Sequence, residues 1–187
     1  FHPGRDKLID IDFESGRAAE LGYYLNYGQR FALSRNADLG FRFIPTEKEG
    51  VGLGLEGQYD YMLKPSSPLF RGKGEFRSLA TTEERGYFEA YHRHELTEDT
   101  VLLLQAEYWN DENIIKDFYY NEYRNRTEPR NFANVTHTRP TYLATGTFRY
   151  NENEVFAETE RLPEATYHLL ERQLAKRLYL SFDTIAG

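Results

Sequence analysis

The stretch Val51–Tyr61, with the sequence VGLGLEGQYDY, alternates between two kinds of side chain. Valine, leucine and tyrosine take the odd positions apart from Gly57, while glycine and polar residues take the even ones. This period of two predicts a β-strand with one apolar face and one polar face. The same alternation runs through Ile9–Glu14, Tyr87–Glu95 and Tyr142–Tyr150. Segments of about ten residues exceed the usual soluble strand and match the length that crosses an outer membrane at a tilt.

The whole chain repeats this pattern, and we predict about twelve strands separated mainly by short polar turns. Their approximate ranges are 7–14, 19–27, 36–45, 51–62, 69–79, 85–96, 100–110, 131–138, 140–150, 154–162, 165–171 and 177–185. Turns are expected at Glu14–Arg17, Thr46–Gly50 and Thr97–Thr100, and a long connection runs from Asn110 to Arg130. Short turns at one end and longer polar loops at the other fit an up-and-down barrel.

Residues 162–178 allow two interpretations. Pro163 can open a helix at its first turn. The residues with helical spacing are Tyr167, Leu170, Leu174 and Leu178. The competing interpretation is two strands joined by a turn around Glu171–Lys176.

Composition supports an all-β fold of antiparallel up-and-down strands that form part of a large transmembrane β-barrel. The chain has 15 Tyr and 13 Phe, and aromatic residues are common in strands and in the interfacial girdles of membrane barrels. The net charge of −7 disfavours nucleic acid as a partner, and the lack of Cys excludes disulfides and thiolate metal sites. We expect residues 1–187 to be one partial barrel domain, truncated at both ends. A soluble β-sandwich, with the apolar faces packed between two sheets, remains the alternative.

Motifs for chemistry are weak, so we predict no enzyme, no cofactor and no metal site. Gly52–Gly57 matches G-x-G-x-x-G, but the alternation continues through it, whereas a dinucleotide site needs these glycines to open a helix. His92 and His94 share a strand face, as metal ligands can, without a third ligand at suitable spacing. Glu158 and Glu160 resemble a glycosidase carboxylate pair, but carboxylates two residues apart on one strand usually form a solvated row.

Several motifs, in order, resemble the LPS-assembly outer-membrane protein family (LptD, formerly OstA or organic-solvent-tolerance protein). The segment Asn110–Phe118, NDENIIKDF, is similar to a family segment that ends in Asp-Phe, here Asp117 and Phe118. Further on, Arg161, Leu162, Pro163 and Glu164 match the R-L-P-E motif of a strand pair, and Gly50–Tyr61 resembles a family hairpin.

This resemblance implies a middle portion of the barrel that inserts lipopolysaccharide into the outer leaflet of the bacterial outer membrane. It also implies an LptE-like plug lipoprotein inside the barrel and a periplasmic bridge protein as partners. In such a barrel the polar strand faces line the lumen. The lumen-lining candidates are Glu56, Gln58, Asp60, Glu89, Arg93, Gln105, Glu107 and Arg149. The alternatives are a generic outer-membrane channel or porin and a soluble β-sandwich carbohydrate-binding module.

Overall fold

The computed structural model describes residues 9–62, 71–119, 124, 130–150, 163–175 and 178–187. This part of the chain contains eleven strands and one short helix. They are β1 (Ile9–Ala18), β2 (Gly22–Ser34), β3 (Ala37–Pro45), β4 (Val51–Met62), β5 (Arg71–Thr81), β6 (Gly86–Thr97), β7 (Thr100–Trp109), α1 (Ile114–Phe118), β8 (Phe132–Arg139), β9 (Tyr142–Arg149), β10 (Glu164–Ala175) and β11 (Leu178–Ala186).

The strands form a single open sheet in which spatial order equals sequence order, from β1 to β11. Every neighbouring pair is antiparallel. The predicted all-β, antiparallel, up-and-down fold is therefore confirmed. Within the described residues, the outer edges of β1 and β11 pair with no further strand. Because the strand number is odd, these two edge strands run in the same direction.

The two ends of the sheet differ in their connections. At one end, which we call the turn end, β2 and β3, β6 and β7, and β8 and β9 are each separated by only two residues. At the opposite end, the loop end, the connections include Thr46–Gly50 and the long segment from Asn110 to Asn131. Backbone hydrogen bonds close the first of these, with Thr46 N donating to Gly50 O over 2.8 Å. The predicted turns at Thr46–Gly50 and Thr97–Thr100 are confirmed.

The predicted turn at Glu14–Arg17 is wrong, because these residues lie inside β1. The chain reverses instead at residues 19–21 and enters β2 at Gly22, whose φ is 69°. Glycine adopts this left-handed conformation without the steric cost that other residues incur. Both Gly16 and Gly22 could have formed the turn between β1 and β2. The sequence prediction chose the segment that contains Gly16, whereas the structure uses Gly22.

The helix considered for residues 162–178 is also wrong. Residues 164–175 form β10, which is hydrogen-bonded to β9 on one side and to β11 on the other. Pairing on both edges outweighs the helical spacing of its leucines. The turn expected at Glu171–Lys176 was placed too early, since β10 continues to Ala175. The predicted strand 154–162, together with Glu158 and Glu160, lies outside the described residues.

The two faces of the sheet differ in chemistry. Residues directly opposite each other on neighbouring strands share a face. One such row contains Phe41, Leu55, Ser78, Phe88 and Tyr108. The next row, on the other side of the sheet, contains Gly40, Glu56, Arg77, Glu89 and Glu107. We call these the apolar face and the polar face.

The buried hydrophobic cluster lies on the polar face at the loop end. There α1 and its flanking residues fold back over the sheet and bury Trp109, Ile114 and Ile115 completely. The cluster consists of Leu21, Ile44, Leu79, Tyr87, Trp109, Ile114, Ile115 and Phe118. By contrast, Leu53 and Phe13 on the apolar face are 60% and 64% exposed. The covering segment and the main apolar surface thus lie on opposite sides of the sheet.

Candidate functional site

Ion pairs connect neighbouring strands on the polar face, and the first group of them joins residues of β1 to β4. The carboxylate of Glu56 accepts hydrogen bonds from Arg30 Nη2 at 2.9 Å and from Arg42 Nη2 at 3.3 Å. Arg42 also donates to Asn26 Oδ1 at 3.1 Å and reaches Asp12 Oδ2 at 3.5 Å. One carboxylate therefore holds two guanidinium groups, and the Glu56 side chain is largely buried between them.

A glycine opposite Glu56 makes room for this arrangement. Gly40 is the register partner of Glu56, and a Cβ at Gly40 would lie 3.0 Å from Glu56 Cγ and 3.0 Å from the carbonyl oxygen of Gln29. Such contacts are tighter than ordinary packing permits. The small residue lets the glutamate bend across the strand toward its two arginines.

Further along the same face, Arg77 occupies the position between Glu56 and Glu89. Its Nε donates to Glu89 Oε1 at 3.0 Å, and its guanidinium lies 4.6 Å from the ring centroid of Tyr119, next to α1. This stacked geometry is a cation–π interaction. Arg77 thus connects the charged row of the sheet to the segment that covers it.

Glu107 anchors the return of the long connection onto the sheet. The Glu107 residue is only 2% exposed, and its carboxylate accepts a hydrogen bond from the backbone N–H of Arg130 at 3.0 Å. The Asn131 amide completes the contact: its Oδ1 accepts from Glu107 N at 2.6 Å, and its Nδ2 donates to Glu107 O at 3.0 Å. The backbone pairing of β7 with β8 ends at Gln105 and Phe132. Beyond that point, the side chain of Asn131 takes the place of a backbone partner and holds the two segments together.

A second charged cluster fixes α1 at the loop end. Arg85, between β5 and β6, binds Glu49 at 2.7 Å, Asp117 at 2.7 Å and Asp111 at 3.2 Å. Burial alone would lower the pKa of Arg85, but its hydrogen bonds to Asp117 and Glu49 and its attraction to Asp111 outweigh burial and raise that pKa. The guanidinium therefore stays charged. We call Arg85 and its three acidic partners the Arg85 latch.

Between α1 and strands β1–β3 a cavity of about 270 Å³ remains. Charged and aromatic side chains line it together, and they include Glu14, Tyr24, Arg42, Arg77, Asp117 and Tyr119. The polar face is therefore only partly filled by the segment that covers it.

All eight residues predicted to line a lumen lie on the polar face. Glu56, Glu89 and Glu107 share one row, and Gln58 donates to Asp38 Oδ2 at 2.5 Å while Asp60 pairs with Arg71. Gln105 bonds to Glu107, and Arg93 lies 3.7 Å from Glu95. Arg149, on β9, is exposed and stands apart from this network.

The family-motif positions divide between the two halves of the chain. Asp117 and Phe118 lie in α1, where Asp117 belongs to the Arg85 latch and the Phe118 ring lies 5.6 Å from the Arg85 guanidinium. Pro163 is exposed and Glu164 begins β10. Arg161 and Leu162 lie outside the described residues.

The sequence prediction missed three arginines of the polar face and the helix α1. Arg30, Arg42 and Arg77 supply the cations that bind Glu56 and Glu89, and each shares the strand parity of the polar residues. Their position at every second residue of a strand, in phase with the polar residues, could have predicted that they lie on the polar face. Helix α1 could have been suspected from Ile114, Ile115 and Phe118, apolar residues within an otherwise polar connection.

The apolar face carries the two histidines that were considered as metal ligands. Tyr59 Oη lies 2.7 Å from His92 Nδ1, and Tyr61 Oη lies 3.0 Å from His94 Nδ1. To reach His92, the Tyr59 ring passes over Gly74, where a Cβ would be 2.5 Å from the Tyr59 hydroxyl. The described residues contain no group of three potential ligands that could hold a metal ion.

No helix in the described part of the chain combines the length and the apolarity needed to cross a membrane. Comparison of the chain with protein-family models, curated proteins and solved structures gives no match.

Proposed function

We propose that the chain forms part of the wall of an outer-membrane β-barrel, with its apolar face toward lipid and its polar face toward an aqueous lumen. The observation that carries this proposal is the exposure of large hydrophobic side chains on one face across many adjacent strands. They are Ile9, Ile11, Phe13, Phe31, Leu39, Phe41, Phe43, Leu53, Leu55, Phe88, Leu104, Tyr108, Val135 and Phe148. Scattered exposed leucines are normal in soluble proteins, but a continuous apolar surface of this extent marks contact with lipid or protein.

The location of the covering segment argues against the β-sandwich alternative. In a sandwich, the apolar face packs against a second sheet and the polar face meets solvent. Here the segment that folds over the sheet, α1, lies on the polar face, and the described residues place no second layer on the apolar face. This arrangement suits a wall whose apolar side is covered by lipid.

The dimensions also suit a membrane. The ten residues of β7 span about 34 Å at ~3.4 Å per residue. With a tilt of ~40° they cross about 26 Å, close to the ~25 Å apolar band of outer-membrane barrels.

Aromatic residues lie near both ends of the strands on the apolar face. Tyr108 and Phe148 lie near the loop end, whereas Tyr61 and Tyr142 lie near the turn end. Aromatic girdles at both interfaces are typical of membrane barrels, because the ring is apolar and the hydroxyl is polar.

From the sequence resemblance we further propose that this barrel inserts lipopolysaccharide into the outer leaflet of the bacterial outer membrane. The polar face would be a hydrated, non-enzymatic path for the sugar. A plug lipoprotein of the LptE type and a periplasmic bridge protein would be its partners. The paired charges of the polar face support a hydrated surface, since charged groups facing lipid are costly.

Refolding tests the barrel proposal. The chain is diluted from urea into water and, separately, into detergent micelles, and β-structure is followed by circular dichroism. We expect β-structure only in detergent. A monomeric, β-rich particle in detergent-free water would overturn the barrel and favour the soluble module.

Site-specific photo-crosslinking tests the cargo. A photoreactive amino acid at Gln58 on the polar face, and in a matched variant at Leu53 on the apolar face, is activated in the outer membrane of a Gram-negative host. We expect lipopolysaccharide adducts from position 58. A membrane-inserted protein without such adducts, but with ion conductance, would favour the generic channel.

A further inference from the structure

The outer edge of β1 carries an unusual row of acids. Asp10, Asp12 and Glu14 all point to the polar face, and all three are exposed. On the neighbouring strands, Glu56 has Arg30 and Arg42 on one side and Arg77 on the other, whereas Asp10 has an arginine, Arg30, only on its inner side. The Asp12 side chain is 70% exposed and likewise has Arg42 at 3.5 Å on one side only.

Charges alternate across the polar face toward this edge. Reading from β6 to β1, the order is Glu89, Arg77 and Glu56, then Arg42 on β3 and Arg30 on β2, and finally Asp12 and Asp10 on β1. Each arginine in this series has a carboxylate on both sides. The alternation ends on an acid at β1, so the next strand in the same sheet would continue it with a cation.

From this pattern we propose that the outer edge of β1 is a docking site for a partner β-strand that carries basic residues on one parity and apolar residues on the other. Its basic side chains would lie opposite Asp10, Asp12 and Glu14. Its apolar side chains would continue the surface formed by Ile11 and Phe13, which are exposed on the other face. Cross-strand pairs of opposite charge stabilise a sheet, and like charges directly opposite destabilise it.

A second copy of this chain does not fit this edge. Residues directly opposite each other in paired strands share a face, so β1 paired antiparallel with itself about Asp12 would set Asp10 against Glu14 of the copy. The other free edge is no better, because β11 presents Asp183 on the polar face, opposite His168. The acidic row thus selects a basic strand and disfavours self-association, a known hazard of open edges.

Direction adds a further constraint. Because β1 and β11 run the same way, direct closure of the sheet between them would be parallel. Membrane barrels of bacteria are antiparallel, so we do not expect β1 and β11 of the described sheet to pair directly with each other. The inference goes beyond the proposed function, since the charge pattern selects a basic strand in water as well as in a membrane.

Peptide binding tests the proposal in whichever medium, water or detergent, the chain folds. Two nine-residue probes are compared, one alternating lysine and valine and one alternating glutamate and valine. We expect the lysine peptide to bind at least ten-fold more tightly and to slow hydrogen exchange of the β1 amides. Comparable binding of both peptides would overturn the proposal. So would β1 amides already protected in a dimeric chain without peptide.

Charge-neutral variants separate a specific edge from general attraction to an acidic protein. The triple variant Asp10→Asn, Asp12→Asn, Glu14→Gln should lose the preference for the lysine peptide. The matched control Glu83→Gln, Glu98→Gln, Glu112→Gln changes the net charge equally at exposed positions and should retain it. Loss of the preference in both variants would contradict a site at β1. None of these outcomes depends on whether the apolar face enters a membrane.

Discussion

Leu55→Arg is the most decisive single substitution for the orientation of the sheet. Leu55 lies near the middle of β4, pairs with Phe41 and Ser78 on the apolar face, and is 55% exposed. If this face meets water, the change should alter the free energy of unfolding by no more than ~0.5 kcal/mol, as at most surface positions.

In a bilayer the same change is expensive. An arginine facing lipid near the midplane of a membrane barrel costs roughly 2–4 kcal/mol. Since ~1.4 kcal/mol is a factor of ten, the ratio of folded to unfolded chain should fall roughly 30- to 700-fold. The two environments therefore predict effects that differ by far more than the error of an unfolding experiment.

The assay uses the only tryptophan of the chain. Trp109 is fully buried in the cluster beneath α1, so its fluorescence reports folding during urea titration in phospholipid vesicles. Gln58→Arg is the matched control, because it places the same side chain on the polar face beside Asp38, the partner of Gln58. If Leu55→Arg costs no more than Gln58→Arg, the apolar face does not lie in lipid.

Three further substitutions probe the contacts that hold the two faces. Gly74→Ala places a Cβ 2.5 Å from the Tyr59 hydroxyl and should destabilise the fold by about 1–3 kcal/mol through overpacking. An unchanged urea midpoint would show that the ring does not lie over the glycine. Arg85→Ala removes the cation that binds Asp117 and should cost about 3 kcal/mol, the lower end for breaking a buried pair. Limited proteolysis should then cut between β7 and β8, and wild-type resistance in that segment would argue against the latch. Ile115→Ala empties a fully buried site and should cost about 2–5 kcal/mol. A loss of less than ~1 kcal/mol in the same urea titration would mean that α1 is not packed on the sheet.

The polar face shows which features the sequence pattern can predict and which it cannot. The alternation in β4 correctly placed Glu56, Gln58 and Asp60 on one face, because side-chain direction in a strand depends only on parity. Parity does not say which strands are neighbours, so the pairing of Glu56 with Arg30 and Arg42 could not be derived. That pairing requires the register of three strands, β2, β3 and β4.

Turns and ambiguous segments were less predictable for a related reason. Gly16 and Gly22 are both compatible with a reversal of the chain, and the choice between them depends on how far β1 and β2 pair. Similarly, the leucines of β10 suit either a helix or a strand until the hydrogen bonds of β9 and β11 decide between them. Local propensity is weak compared with the pairing energy of a whole strand edge.

What the sequence determined by itself is the strand character of the chain, the division of each strand into an apolar and a polar side, and the two-residue turn between Thr97 and Thr100. All of these are local properties of period and turn chemistry. Only the tertiary structure decided that α1 covers the polar face and that Arg85 binds Glu49, Asp111 and Asp117. It also decided that, within the part of the chain that is described, large side chains of the apolar face stay exposed. These features join residues that are distant in sequence, and their energy exists only once the strands have paired in register.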